Sequence, residues 1–241
     1  MILMAYEIIY EIILVVLGYL FGSIPVAYLI GKISRGIDIR DFGSGNMGTA
    51  NVMRTLGKKA GILTMVLDMA KGAIAVLLTR IYLWVVGDNY SGFTTNVPGA
   101  KFPQFLDAGF LLTLVSLMAV IGHSFPIWLK FKGGKSAAVG AGTILGINPL
   151  PFVFIMIIWF VLLKTTKLMS LSNLVVSFLS PPLYWIFAGN ESWFFNGSLW
   201  ALILSCIMVI FVFWRHKSNI KRLLTGTERK MGEKVEIPED D

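Results

Sequence analysis

The residues best suited to chemistry fall in short polar segments set between long apolar ones. The first runs from Asp41 to Gly57 and sets Gly43, Gly45 and Gly48 among Ser44, Asn46, Thr49, Asn51 and Arg54. Glycines let backbone N–H groups turn toward a ligand, and a turn feeding a helix N-terminus is a ready anion site. Arg54 adds a guanidinium that can grip a phosphate in two places. A simple polar loop with glycine turns would read much the same. It is not a P-loop, because no Gly-Lys-Ser/Thr follows the glycines. The second segment, Gly122 to Ser136, carries Lys132, Gly133, Gly134 and Lys135 at the entrance to a short apolar stretch. Two lysines beside a glycine turn and a helix N-terminus suit a phosphate. Anchoring at a membrane surface accounts for Lys130 but leaves the Gly-Gly pair unexplained. The third, Trp214 to Glu228, places His216, Asn219 and Arg222 on one helical face by their spacing. A lone histidine beside a membrane is more often interfacial than functional, but its alignment with Asn219 and Arg222 favours a site.

Asp68 and Lys71 form a fourth candidate, i and i+3 within an apolar stretch. Ionisable groups are costly in lipid and so are candidates for function; a helix-packing ion pair fits them equally well. Together the polar segments offer Ser, Thr, Asn, Lys, Arg and His with little carboxylate. That is an anion site with room for two phosphate groups. No metal, cofactor or nucleic-acid partner is expected.

The elements that must hold these residues follow from composition. Of the 241 residues 56% are hydrophobic and only 15% charged, with a mean hydropathy of +0.73. Soluble domains carry about 25% charged residues, so most of this surface meets lipid. The apolar stretches are continuous blocks, which makes them helices and not barrel strands. Spans are expected near Ile8–Ile30, Gly61–Val86, Leu106–Leu129, Leu168–Ala188 and Ser198–Trp214. The region 136–163 reads as two short helices broken at Asn148-Pro149, since proline removes a helix donor and restricts the residue before it. Seven spans with the N-terminus outside place eighteen of the twenty-one basic residues on the cytoplasmic side. Six spans would erase that bias. The expected protein is therefore all-α, a polytopic integral membrane protein of about seven transmembrane helices with a cytoplasmic C-terminus. Residues 1–241 form a single membrane-embedded domain. The first apolar stretch lacks the basic start of a signal peptide, and no lipidation motif is present. Gly87–Phe105 is polar and reads as a long external loop. The single cysteine, Cys206, excludes an internal disulfide and reads as a buried structural thiol.

The segments GSGNMGTANVMRTLG, GHSFPIWLKFKGGKS and HKSNIKRLLTGTE resemble the three cytoplasmic motifs of the bacterial acyl-phosphate-dependent glycerol-3-phosphate acyltransferases, the PlsY type. Order, spacing and sidedness match over nearly the whole chain. The resemblance implies a seven-helix enzyme of the bacterial inner membrane with its active site at the cytoplasmic face. Its reaction would move an acyl chain from acyl phosphate to the 1-hydroxyl of sn-glycerol 3-phosphate, giving lysophosphatidate and phosphate, the first step of membrane phospholipid synthesis. The soluble enzyme that makes acyl phosphate would be a partner. Carried over by motif, His216, Asn219, Ser44 and Lys135 would be catalytic. Gly43, Gly45, Asn46, Gly48, Thr49, Asn51, Arg54, Lys71, Lys132, Gly133, Gly134 and Arg222 would bind substrate. Lys132, Lys135, Arg54 and the Ser44–Gly48 backbone suit acyl phosphate, and Lys71, His216, Asn219 and Arg222 suit glycerol phosphate. Three departures stand out: Ser136 where the family pattern has glycine, Thr49-Ala50 in inverted order, and a longer external loop.

Two other classes are weaker. A phosphate transporter would place its polar site near mid-membrane within repeats, and neither feature is visible. A His-x4-Asp acyltransferase is excluded, because Trp128 and Lys221 stand where the aspartate would follow His123 and His216.

Overall fold

A computed structural model describes residues 2–86, 108–188 and 199–233. These form ten helices: α1 (Ile2–Ser23), α2 (Val26–Arg35), α3 (Thr49–Leu56), α4 (Lys58–Val86), α5 (Ala108–Ser124), α6 (Ala137–Ile147), α7 (Pro149–Thr166), α8 (Met169–Ala188), α9 (Leu199–Arg215) and α10 (Lys217–Leu224). No strand occurs among the described residues. Five segments are long and apolar enough to cross a membrane, and a sixth arises if α9 and α10, bent by 63°, count as one. The eleven-residue α6 is apolar but short. The polar stretch 87–105 lies outside the described residues.

The breaks have local causes. The sequence suggests one helix over residues 8–30, but Pro25 ends α1 and starts α2 because it has no N–H to donate and constrains Ile24. The carbonyl freed at Ile24 accepts from Lys71 Nζ at 2.7 Å. The expected break at Asn148-Pro149 is present. Asn148 caps α7 by accepting from the Leu150 amide at 2.9 Å, with Pro149 as the first helical residue. Arg80, which lies within α4, donates to Gly146 O at 3.1 Å and satisfies a carbonyl at the end of α6. In α8, Pro181 cannot reach the Ser177 carbonyl, and the Ser180 hydroxyl takes that bond at 2.8 Å.

Small residues let the helices meet backbone to backbone, the packing expected where lipid removes any hydrophobic drive between helices. α1 lies along α5 and α4 along α6. A methyl group at Gly22 would overlap Ala119, and one at Gly142 would overlap Met69. Leu14, Ala75, Leu111, Val115, Ala119 and Val139 form a buried cluster between these helices. The outer faces stay apolar, with Phe178, Ile186 and Ile210 largely exposed. Cys206 belongs to that outer face and not to the core. Hydropathy marks a residue as apolar-flanked but does not say which side of its helix faces lipid.

Candidate active site

The three polar segments converge at one end of the bundle around a cavity of about 370 Å³. The first segment enters through a tight loop that Asn51 builds. Its side chain, 1% exposed, donates to Ile39 O and Phe42 O at 3.1 and 3.0 Å and accepts from the Ser44 amide at 2.8 Å. Gly43 has φ of +64°, and a side chain there would collide with Asn51 Oδ1. The loop presents Ser44, Asn46, Gly48 and Thr49 to the cavity at the start of α3, whose N-cap, Gly48, offers no side-chain cap. Gly45 turns the loop but does not line the cavity. Arg54 reaches the cavity from the last turn of α3, half-buried, and donates weakly to Arg229 O at 3.4 Å.

The second segment behaves differently from its sequence reading. Only Lys135 of its two motif lysines lines the cavity; Lys132 is exposed outside it. Gly133 and Gly134 do not offer their amides to a ligand, because these donate to Ser124 O and His123 O at 3.1 and 3.0 Å. Their carbonyls accept from Arg215, at 3.2 Å for Gly133 and 2.8 Å for Gly134. A methyl group on Gly134 would overlap His123. The Gly-Gly pair is thus a packing device that pins this loop to α5 and α9. Ser136 then takes a left-handed conformation (φ +64°) that suits glycine. Its hydroxyl, buried, donates to Val120 O at 2.6 Å and lies 2.8 Å from Ser124 Oγ. Those bonds offset the strain, and α6 starts at the cavity with Ala137 and Ala138 in its wall.

The third segment supplies His216, Asn219 and Arg222, all three lining the cavity. His216 is 2% exposed, with Nδ1 2.8 Å from Val212 O. The carbonyl can only accept, so Nδ1 carries the proton and Nε2 keeps its lone pair. Burial lowers the imidazole pKa to about 4 despite the Val212 bond, so His216 is neutral. Asn219 accepts from Lys135 Nζ and donates to Glu228 Oε1 at 2.6 Å. Glu228 also accepts from Ser170 Oγ at 2.8 Å and from Arg222 Nε at 2.7 Å. Burial pushes its pKa up, but these bonds outweigh burial and hold it below the usual carboxylate range. Lys135 moves the other way. Burial first, then repulsion from Arg222, brings it down to about 8.

Lys71 does not join this group. Within α4 its ammonium lies 2.8 Å from Asp68 Oδ1 and 2.9 Å from His123 Nδ1, besides holding Ile24 O, and it lies behind the cavity wall. Asp68 and His123 line the wall instead. Several lining residues were not singled out from sequence. Glu228 ends the third segment, but its spacing does not place it with His216, Asn219 and Arg222. Ser170, and the Trp159–Asn173 pair joined by a 2.8 Å bond, sit in apolar helices where nothing distinguishes them.

The cavity therefore gathers Lys135, Arg54, Arg222 and Arg229 with the carboxylates of Glu228 and Asp68, two helix N-termini lacking side-chain caps and the neutral imidazole of His216. It suits a phosphorylated substrate and a hydroxyl that must lose a proton. Residues 12–226 match the family model described as glycerol-3-phosphate acyltransferase. The chain is 40% identical over 219 residues to a glycerol-3-phosphate acyltransferase of Thermosynechococcus vestitus, covering 91% of this chain and 94% of that one. It is 36% identical to its Bacillus subtilis counterpart over 90% and 96% of the two chains. It is also similar to a crystal structure of PlsY (YgiH), an integral membrane glycerol 3-phosphate acyltransferase, in the glycerol 3-phosphate form. That likeness has a TM-score of 0.73 and 30% identity, over 92% of this chain and 96% of that one. The lysophosphatidic acid form of the same protein gives 0.71 and 29%.

Proposed function

Since this chain belongs to the glycerol-3-phosphate acyltransferase family, we propose that its acyl donor is acyl phosphate and its product 1-acyl-glycerol 3-phosphate. The observation that carries this reading is the placing of Lys135, Arg54 and Arg222 in one cavity beside His216. One phosphate needs fewer cations than these three and the two helix N-termini provide; two phosphates use them.

The donor is a mixed anhydride with a good leaving group, so positioning and charge stabilisation can supply most of the catalysis. The 1-hydroxyl oxygen of glycerol 3-phosphate attacks the acyl carbonyl carbon. The bond from that carbon to the phosphate oxygen breaks, and phosphate leaves with the electron pair. The hydroxyl proton passes to His216 Nε2 or to the substrate's own phosphate. Lys135 and the α6 N-terminus would neutralise leaving phosphate, with Ser44 and the α3 N-terminus lining the same cavity. Asn219, oriented by Glu228, holds Lys135 in place. No acyl-enzyme is required, since Cys206 faces outward and Ser44 has no adjacent base among its bonding partners. Sequential kinetics follow; a trapped acyl-enzyme would rule this route out.

The site is proposed to face the cytoplasm of a bacterial inner membrane, with seven helices in the membrane once α6 is included. The soluble enzyme that makes acyl phosphate is its proposed supplier. In a Cys206→Ser background, an impermeant thiol reagent applied outside should label Asn96→Cys but not Thr225→Cys. The test of reaction is phosphate release by purified protein from acyl phosphate and glycerol 3-phosphate. Equal turnover with acyl-CoA would overturn the donor assignment.

A further inference from the structure

Beyond the polar cavity a narrower space of about 70 Å³ continues between α5, α6, α8 and α9. The two spaces share Ser136, Ala137, Ala141, Ile155 and Val176, so they meet beside the α6 N-terminus. From there the narrow cleft runs along α6, past Gly140 and Ile144, to Ile147 and Tyr184. At 1.5 Å per residue, Ser136 to Ile147 spans about 16 Å, roughly half the bilayer's hydrocarbon thickness. Ile147 belongs to a buried cluster with Val76 and Leu112, and Tyr184 packs against that cluster. The deep end is thereby closed.

Several cleft residues carry hydroxyls, which would seem to suit a polar ligand. Their bonds say otherwise. Thr113, Thr143, Ser180 and Ser205 each donate to a backbone carbonyl three or four residues earlier on their own helix, at 2.7 to 2.8 Å. Their hydrogen-bonding capacity as donors is taken up, and what they add to the cleft is mainly carbon surface. The occupant that best suits this mainly apolar lining is a narrow hydrocarbon whose polar head reaches the cavity near Lys135.

We propose that this cleft receives the acyl chain of the donor and that Tyr184 and Ile147, at its closed end, set the longest chain the enzyme accepts. The inference rests on the acyl-phosphate reading above. A chain lying instead along the lipid-facing surface would meet no such stop.

Two substitutions act in opposite directions. A Cβ at Gly140 would meet nothing nearer than Val120 Cγ2 at 3.9 Å, so the side chain of Gly140→Leu enters the cleft without displacing backbone. Tyr184→Ala lengthens it. The measurement is kcat/KM for a graded series of saturated acyl phosphates with purified protein. Gly140→Leu should lower the long-chain to short-chain ratio by about 10-fold or more, the discrimination a blocked apolar pocket gives. Tyr184→Ala should move the preferred length upward. Phe178→Leu, on the outer face of α8, should leave the length profile as in the parent. Turnover with an unchanged profile in both cleft variants overturns this inference and leaves the donor reading standing. Absence of turnover with every acyl phosphate in the parent enzyme overturns both.

Discussion

Two clusters of charge lie close together in this bundle and are built on opposite plans. Asp68, Lys71 and His123 sit deep between α4 and α5, within 2.8 to 3.5 Å of one another. Lys71 is 4% exposed and each of its three contacts is to protein. Lys135, Asn219, Glu228 and Arg222 form the second cluster, at the cavity, where Arg54 adds a further cation. The first cluster is paired internally, although Asp68 and His123 also border the cavity: the aspartate answers the lysine, and the lysine joins the Val26 amide on the Ile24 carbonyl at the α1–α2 break. The second is left with excess positive charge and an open side. Sequence marks both as charged groups in an apolar chain. What separates structure from chemistry is whether the protein itself supplies every partner.

The comparison can be broken at its closed half first. Lys71→Met should leave Asp68 buried without its cation and cost about 3–5 kcal/mol of unfolding free energy, read as thermal unfolding in detergent. Replacing Asp68 by Leu in the same chain should recover most of that loss. Weak activity in Lys71→Met with unchanged stability would show that Lys71 binds substrate after all.

At the open half the loss should appear in catalysis. Lys135→Met or Arg54→Met should lower kcat/KM by about 10²-fold, the size expected for one preorganised electrostatic contact, with little change in thermal unfolding. Lys101→Met is the control. A comparable fall at Lys101 would mean that stability was being measured.

Titration gives a finer test. Lys135, near 8 in the free protein, must be protonated to hold an anion, so kcat/KM should fall as pH rises through about 8. Below that the lysine keeps its charge and its contribution is complete. Bound phosphate favours the charged lysine, so the corresponding limb in kcat should lie at higher pH. Glu228→Gln removes a carboxylate that raises the lysine pKa and should move the limb to lower pH. Lys135→Arg should abolish it. A limb that stays in place in Lys135→Arg belongs to another group.

The smallest effect expected is that of Cys206→Ser. On the outer face of α9 the thiol touches neither cluster, and activity should stay within about twofold, the size of a neutral surface change. A large loss would reopen the question of a covalent intermediate.

The sequence by itself determined a great deal here. Charge deficit and unbroken apolar blocks required helices in lipid, since only they satisfy every backbone group there. Asn148-Pro149 announced its break, because proline's missing N–H acts locally. The spacing of His216, Asn219 and Arg222 placed them on one face, since helical periodicity is local too. The tertiary structure alone decided the rest. Lys71, Lys132 and Lys135 look alike in the chain, yet one is sealed by Asp68 and Ile24, one is exposed, and one lines the cavity. Gly133-Gly134 reads as an anion turn, but Arg215, eighty-one residues from Gly134, takes its carbonyls, and α5 takes its amides. Glu228 became central through Asn219, Arg222 and Ser170 together, the last fifty-eight residues away. Propensity and periodicity act over a few residues, whereas a charge is satisfied by whatever the fold brings within hydrogen-bond distance, and that partner carries no local mark in the sequence.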